Sequence, residues 1–133
     1  MSKIAKEVAE AEIEKWLDFK KILAGERERN SDTIALLVDA IMEGALEYDE
    51  STNKLKHYLL HPFQNEQPLT ELTYLPRIND NMLQPNLRGV SAKDGDARLI
   101  AVICTLTGQA RGIIQKLDST DKRIALSIAV FFL

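Results

Sequence analysis

Cysteine is scarce in this sequence of 133 residues: Cys104 is the only one, which excludes a framework of intrachain disulfides. No apolar run reaches the roughly 18–20 residues that span a bilayer, and the first residues lack the continuous apolar stretch of a secretion signal. Gly-rich phosphate loops, zinc motifs and nucleophile elbows are also missing. These absences predict a cytoplasmic protein that does not associate with membranes, and they argue against an enzyme.

The charge is small overall but unevenly distributed. The net charge is −3; residues 1–53 hold seven Lys/Arg against thirteen Asp/Glu, and residues 54–133 hold ten against seven. The second region has no dense basic cluster interleaved with aromatics, so nucleic-acid binding is not expected. The asymmetry suggests two regions with different surroundings, although ordinary solvated faces explain it more simply.

Residues 1–53 are predicted to form an acidic helical hairpin. Helix-forming residues fill residues 3–24 without glycine or proline, and Gly25 is expected to end that helix. After a charged connection, a second helix is expected over about residues 33–48. The residues expected on the buried side of the first helix are Ile4, Val8, Trp16, Phe19 and Leu23.

Residues 54–75 change to a composition typical of strands. The segments 54–60 and 69–75 contain the aromatic, aliphatic and threonine residues that favour a pleated surface, and a polar turn at 64–68 separates them. Pro62 is expected to end the first strand because proline has no N–H to donate. We therefore predict a two-stranded antiparallel hairpin, which needs helices or a partner subunit to cover it.

The C-terminal part is predicted to be helical. Residues 79–95, rich in Asn, Asp, Gly and Pro, are expected to be mostly loop. Ser119 is the expected N-cap of the last helix. The predicted helices cover about 97–107, 109–116 and 120–133.

The predicted fold class is therefore mainly α with a small β-hairpin. It comprises an N-terminal helical hairpin over residues 1–53, followed by the two-stranded hairpin and C-terminal helices over residues 54–133. These two regions could also form one continuous domain.

Cysteine and histidine, which often carry chemistry, have structural explanations here. Cys104 lies in the most apolar predicted helix without an evident base, so we expect a small core residue rather than a nucleophile. His57 and His61 would share a strand face, but no cysteine or third histidine nearby completes a metal site. We expect both histidines to be partly exposed at the edge of a loop, and we expect no metal or other cofactor.

Two pairs of aspartates also have structural explanations. Asp94 and Asp96 flank a glycine, but the twelve-residue ligand pattern of a calcium loop is missing, so a turn and a helix N-cap are expected. Asp118 and Asp121 could pair as acid and base, yet their position at a helix start accounts for both. No catalytic residue is assigned, and a small enzyme using Asp118, Asp121 or His61 is a weaker hypothesis.

A series of short motifs begins near residue 58. They are Tyr58-Leu59-Leu60-His61-Pro62-Phe63, Leu69-Thr70-Glu71-Leu72-Thr73-Tyr74, Leu87-Arg88-Gly89, Leu106-Thr107-Gly108 and Leu117-Asp118 with Asp121. Their order resembles the tail assembly chaperones of tailed bacteriophages, particularly the small family of contractile-tailed, Mu-like and related phages. The resemblance covers about residues 58–133, whereas residues 1–53 are not expected in the shortest members.

The resemblance implies a non-catalytic helper of phage tail assembly. Such chaperones are thought to coat the long, helical tape measure protein before the tail tube polymerises around it, and they are then displaced. The resemblance therefore implies that the tape measure protein is the partner, with the tail tube protein as a second candidate. It also implies homo-oligomers, action in the host cytoplasm and absence from the mature virion.

A coat of this kind needs apolar or strand-edge surfaces for reversible contacts. The predicted hairpin offers a strand edge, and the C-terminal segment is more apolar than one helix side requires. Alternatively, these residues simply close the core, and the chain is a head or tail structural or completion protein retained in the virion. The candidate partner-binding residues are Leu59, Leu72, Tyr74, Ile128, Phe131, Phe132 and Leu133.

Overall fold

The computed structural model describes residues 3–63 and 68–132. Within these ranges helices predominate and three antiparallel strands form one small sheet, which confirms the predicted fold class. The chain divides into two compact units, Met1–Pro76 and Arg77–Leu133. The first unit contains the whole sheet, and the second is helical.

Three helices precede the sheet in the first unit: α1 (Lys6–Lys20), α2 (Ala24–Arg29) and α3 (Ser31–Met42). The predicted first helix ends early because Lys21 adopts a left-handed conformation with φ 57°, and its N–H donates back to the last turn. The charged connection forms α2. Arg27 fixes α2 to the end of α1, because its guanidinium lies 2.8 Å from Glu14 Oε2 and 3.1 Å from Asp18 Oδ1.

The second predicted helix was extended too far, because α3 ends at Met42 and the chain enters strand β1 (Leu46–Asp49). Gly44 makes this change possible with a φ of 79°, a conformation that glycine adopts without the steric cost of a Cβ atom. In β1, Leu46 and Tyr48 point inward while Glu47 is exposed. This alternation has the two-residue period of a half-buried strand.

The sheet has three strands in the order β1-β2-β3, with β2 spanning Lys54–Phe63 and β3 spanning Leu69–Tyr74. The predicted hairpin is therefore confirmed for β2 and β3, but the prediction did not include β1. Strand β2 also continues through Pro62, where we expected it to end. The paired residues of β1 stop opposite His57, so no β1 residue there requires an N–H from Pro62. Most of the predicted turn, residues 64–67, lies outside the described residues.

The interior of the first unit is formed where α1 packs on α3 and β1, and where α3 packs on β1. The buried side predicted for the first helix was wrong at two positions, because Val8 is 58% exposed and Leu23, which lies beyond the end of α1, is 75% exposed. The buried stripe of α1 is displaced around the helix from the predicted one. Its members are Ala9, Ile13, Trp16 and Leu17.

The second unit contains α4 (Asp80–Leu87), α5 (Gly95–Thr107), α6 (Arg111–Gln115), α7 (Ser119–Ala129) and a 3₁₀ turn at Val130–Phe132. Helix α5 contacts α4, α6 and α7 and is its central element. Helix α4 forms within the predicted loop, because the Asn79 side chain caps it by accepting from Met82 N at 3.0 Å. None of the helices in the described part of the chain is long and apolar enough to cross a bilayer.

Aspartates begin the two longest helices of this unit. Asp94 caps α5, as predicted, by accepting from Ala97 N at 3.0 Å. Asp118, rather than the predicted Ser119, caps α7, since its Oδ2 accepts from Thr120 N at 3.0 Å. A carboxylate at an N-cap both accepts an otherwise unpaired N–H and interacts favourably with the helix dipole.

Candidate functional site

The thiol of Cys104 is buried in α5, as predicted, and is 3% exposed. Burial raises its pKa, and the nearby positive charge of Arg111 offsets this only in part. The thiolate is the reactive form of cysteine, so a raised pKa reduces the population that could act as a nucleophile. The position fits a small core residue.

The two histidines have different environments. His57 is completely buried, and its Nδ1 lies 3.1 Å from the Tyr74 hydroxyl. The His57 ring also stacks on the Tyr74 ring, with 6.2 Å between the ring centroids. The prediction of partial exposure was therefore wrong for His57, whereas His61 is exposed. Among residues 3–63 and 68–132, no three His, Cys, Asp or Glu side chains come together as metal ligands.

The predicted partner-binding side chains mostly point into the protein. Leu59, Leu72 and Tyr74 are buried in the first unit, with Tyr74 and Leu72 each 1% exposed. In the second unit Ile128 and Phe131 are buried and Phe132 is half-buried, while Leu133 lies outside the described residues. In this conformation the buried side chains among them contribute to the interior, and the role of these residues in partner binding stays a prediction.

An open groove of about 390 Å³ lies along α1 beside β1 and the turn that follows it. Its α1 residues recur every three or four positions, so they form one stripe on the helix surface. Val8 and Ala11 are the exposed apolar residues of this stripe, and Val8, the larger of the two, has 58% of its surface accessible. We call this feature the α1 groove, and its lining residues are Glu7, Val8, Ala11, Glu12, Lys15, Tyr48 and Glu50.

Hydrogen bonds hold the walls of the α1 groove in place. Glu12 Oε1 accepts from the backbone N–H of Tyr48 at 2.7 Å, which joins α1 to β1. The Tyr48 hydroxyl in turn donates to Asn53 Oδ1 at 2.6 Å. Burial raises the pKa of Tyr48, and the charge of Glu50 raises it further, so this hydroxyl stays protonated.

The rim of the α1 groove is acidic. Its lining includes three glutamates and one lysine. Lys15 Nζ lies 2.7 Å from Glu50 Oε1, and this hydrogen bond raises the pKa of Lys15. Both side chains of the pair are well exposed, so the pair contributes little to stability. The lining therefore combines a net negative charge with apolar side chains, a combination suited to a partner that is apolar with flanking cations.

The sequence contains a signal for this groove, but Val8 was predicted to belong to the core. Val8 was placed on the buried side of the first helix, yet Ala9 and Ile13 form an equally regular apolar stripe. Two overlapping stripes on one helix leave one of them outside the core. Which stripe is buried depends on where α3 and β1 pack against α1. The periodicity of the α1 sequence carries no information about that packing.

Comparison with protein-family models, with curated proteins and with solved structures finds no match to this chain.

Proposed function

We propose that this chain is a non-catalytic tail assembly chaperone of a tailed bacteriophage, and that its α1 groove binds an amphipathic helical segment of the tape measure protein. The carrying observation is the exposed Val8 within an acidic groove. The resemblance of residues 58–133 to this chaperone family supports the choice of partner. The tail tube protein is a second candidate partner.

The shape and apolar side chains of the groove support a helical partner. A single exposed apolar residue is ordinary on a protein surface. Val8, however, lies beside Ala11 in a concave site rather than on a convex face. The stripe from Glu7 to Lys15 extends about 12 Å along α1, or about two helical turns. An amphipathic helix places residues spaced three and four apart into such a groove.

The charge of the groove supports a partner with lysine or arginine beside its apolar positions. Glu12 is already bonded to Tyr48 N and Glu50 to Lys15, but among the described residues no cation pairs with Glu7. Rim charges mainly accelerate encounter and are screened by salt. A chaperone that is later displaced requires contacts of this moderate, reversible kind, and this role places it in the host cytoplasm and outside the mature virion.

The test is binding of the purified chain to the tape measure protein of the same phage, measured by calorimetry. Val8→Lys introduces a cation into the groove, and we expect it to weaken binding about tenfold or more, equivalent to about 1.4 kcal/mol. Leu23→Lys is the matched control, because Leu23 is 75% exposed and does not line the groove. Both variants should remain folded, since exposed substitutions change stability by only about 0.5 kcal/mol.

Two results would overturn this proposal. One is equal binding by the Val8→Lys and Leu23→Lys variants, which would move the contact surface away from the groove. The other is detection of the chain in purified virions by mass spectrometry. That result would favour the alternative, a head or tail structural or completion protein that is retained.

A further inference from the structure

The outer edge of β3 is a second exposed feature of the first unit. Tyr58 N donates to Ala45 O at 2.8 Å, so the even-numbered residues of β2 direct their backbone groups towards β1. Alternation along an antiparallel strand then directs those of Leu55 and His57 towards β3. Their partners there are Tyr74 and Leu72. The intervening Glu71 and Thr73 consequently direct their N–H and C=O groups away from the sheet.

These outward groups have no strand beside them in the described part of the chain. Strand β3 pairs with β2 alone, at the end of the sheet order. Glu71 and Thr73 are also exposed in their side chains. A row of unpaired backbone donors and acceptors is a template for another strand.

We propose that β3 pairs antiparallel with β3 of a second copy of this chain, around a two-fold axis at Leu72, to form a continuous six-stranded sheet. Leu72 then lies opposite the second copy's Leu72 on the buried face of the sheet. Glu71 lies opposite the second copy's Thr73, and these two residues exchange the outward backbone hydrogen bonds. The pairing therefore joins the two sheets with their apolar faces on the same side.

The pairing register between the two β3 strands determines the position of this axis. A shift by one residue would place inward-facing side chains opposite outward-facing ones, which a half-buried sheet does not tolerate. A two-fold axis at Glu71 gives equal overlap but places the two carboxylates directly opposite each other, which is unfavourable. An axis at Thr73 leaves only residues 72–74 of β3 paired. The axis at Leu72 pairs residues 70–74 without a like-charge contact.

The opposite edge of the sheet explains why assembly stops at two copies. Glu12 of α1 already accepts from Tyr48 N, so a bonded side chain occupies the outer edge of β1. A two-fold contact uses the same surface on both copies and is therefore closed. With one open and one covered edge, the sheet adds a single partner rather than a series.

The first test is the mass of the purified chain, measured by analytical ultracentrifugation over a range of concentrations. Thr73→Pro removes an outward N–H without removing a donor to β2, and we expect it to shift a dimer to monomer. Thr73→Val is the matched control, because it keeps the N–H and the branched shape, and it should remain dimeric. A wild-type chain that is monomeric at every concentration overturns the proposal, as does a folded Thr73→Pro variant that stays dimeric.

Crosslinking provides a second test that does not depend on tolerance of proline. A mixture of Glu71→Cys and Thr73→Cys chains should form the mixed disulfide, since facing residues of a hydrogen-bonded pair have Cα atoms about 5.5 Å apart. Each variant alone should crosslink weakly, because its own copies are displaced along the strand. Preferential crosslinking of Glu71→Cys with itself would overturn the register.

The dimer and the α1 groove are tested separately. Val8→Lys should leave the mass unchanged if the dimer forms through β3. The wild-type chain could be monomeric while the Thr73→Pro variant no longer binds the tape measure protein. In that case the β3 edge accepts the partner protein instead of a second copy, and the dimer is excluded.

Discussion

The two edges of the sheet differ in how their backbone is covered. At the β1 edge, a carboxylate from α1 accepts the outward N–H of Tyr48 at 2.7 Å. At the β3 edge, Glu71 and Thr73 have no such neighbour among the described residues. A single side chain from an adjacent helix therefore occupies one edge of this small sheet, whereas no strand lies beside the other edge in the described part of the chain.

Glu12 also connects this difference to the α1 groove, since it lines the groove and closes the β1 edge. The side of the sheet that is closed to strands therefore provides the proposed helix-binding surface. The open side provides the proposed surface for a second copy. A protein that coats a long partner needs both kinds of contact, one to the partner and one to its neighbour.

Leu72→Ala should have the largest effect on stability. It tests whether the open edge strand β3 offers a partner its backbone, with its apolar side chains in the core, or offers those side chains. Leu72 is 1% exposed, so its truncation should lower the free energy of unfolding by about 2–5 kcal/mol. Thr70→Ala, at an exposed position of the same strand, is the control and should have little effect. Urea unfolding measures both. An unchanged midpoint for Leu72→Ala would return Leu72 to the partner-binding role predicted from the sequence.

Glu12→Ala should have an intermediate effect and tests the closed edge. It leaves Tyr48 N without its acceptor, which should cost about 1 kcal/mol because the bond is only partly buried. Glu12→Gln retains an acceptor oxygen and should be close to wild type, as should Glu10→Ala, whose side chain is exposed. Unfolding curves measure the loss. Sedimentation should additionally show species larger than a dimer for Glu12→Ala alone, and equal behaviour of the alanine and glutamine variants would contradict the role of Glu12.

Local signals in the sequence were sufficient for much of the fold. The antiparallel pairing of β2 with β3, the cap at Asp94 and the buried Cys104 each depend on residues close in the chain or on composition alone. Strand β1 was missed because Ile41, Ala45 and Tyr48 keep the apolar spacing of a helix, whereas the chain leaves the helix at Gly44, whose φ is positive. Because glycine adopts positive and negative φ about equally readily, its presence in the sequence does not predict where the helix ends.

The candidate site was less predictable because it depends on contacts between distant residues. The bond from Tyr48 N to Glu12 joins residues 36 positions apart, and His57 is satisfied by the Tyr74 hydroxyl 17 positions away. The strand edge itself was predicted, but its apolar side chains were assigned to partner contacts. Burial of Leu72 and Tyr74 leaves the backbone of Glu71 and Thr73 as the available feature.

Asp49→Ala should have the smallest effect and tests the turn that ends the closed strand. Asp49 Oδ1 accepts from Ser51 N at 3.0 Å and from Ser51 Oγ at 2.6 Å, and these bonds lower the pKa of the carboxyl group. A carboxyl group with a lower pKa in the folded state stabilises the fold at neutral pH, and this contribution is lost as the pH falls through that folded pKa. Asp49→Ala should therefore slightly lower the Tm at pH 7, and the difference should shrink as the pH falls through the folded pKa of Asp49, which lies below its ordinary value.

Thermal melts of both proteins from neutral to acidic pH measure this difference. Ser51→Ala is the matched variant, because it removes the hydroxyl bond but leaves the backbone N–H of residue 51. It should produce part of the Asp49→Ala effect with the same loss at low pH. A Tm difference that persists unchanged in acid would show that the turn acts through packing rather than through the ionised carboxylate, and the closed edge would then depend on Glu12 without electrostatic support from the turn.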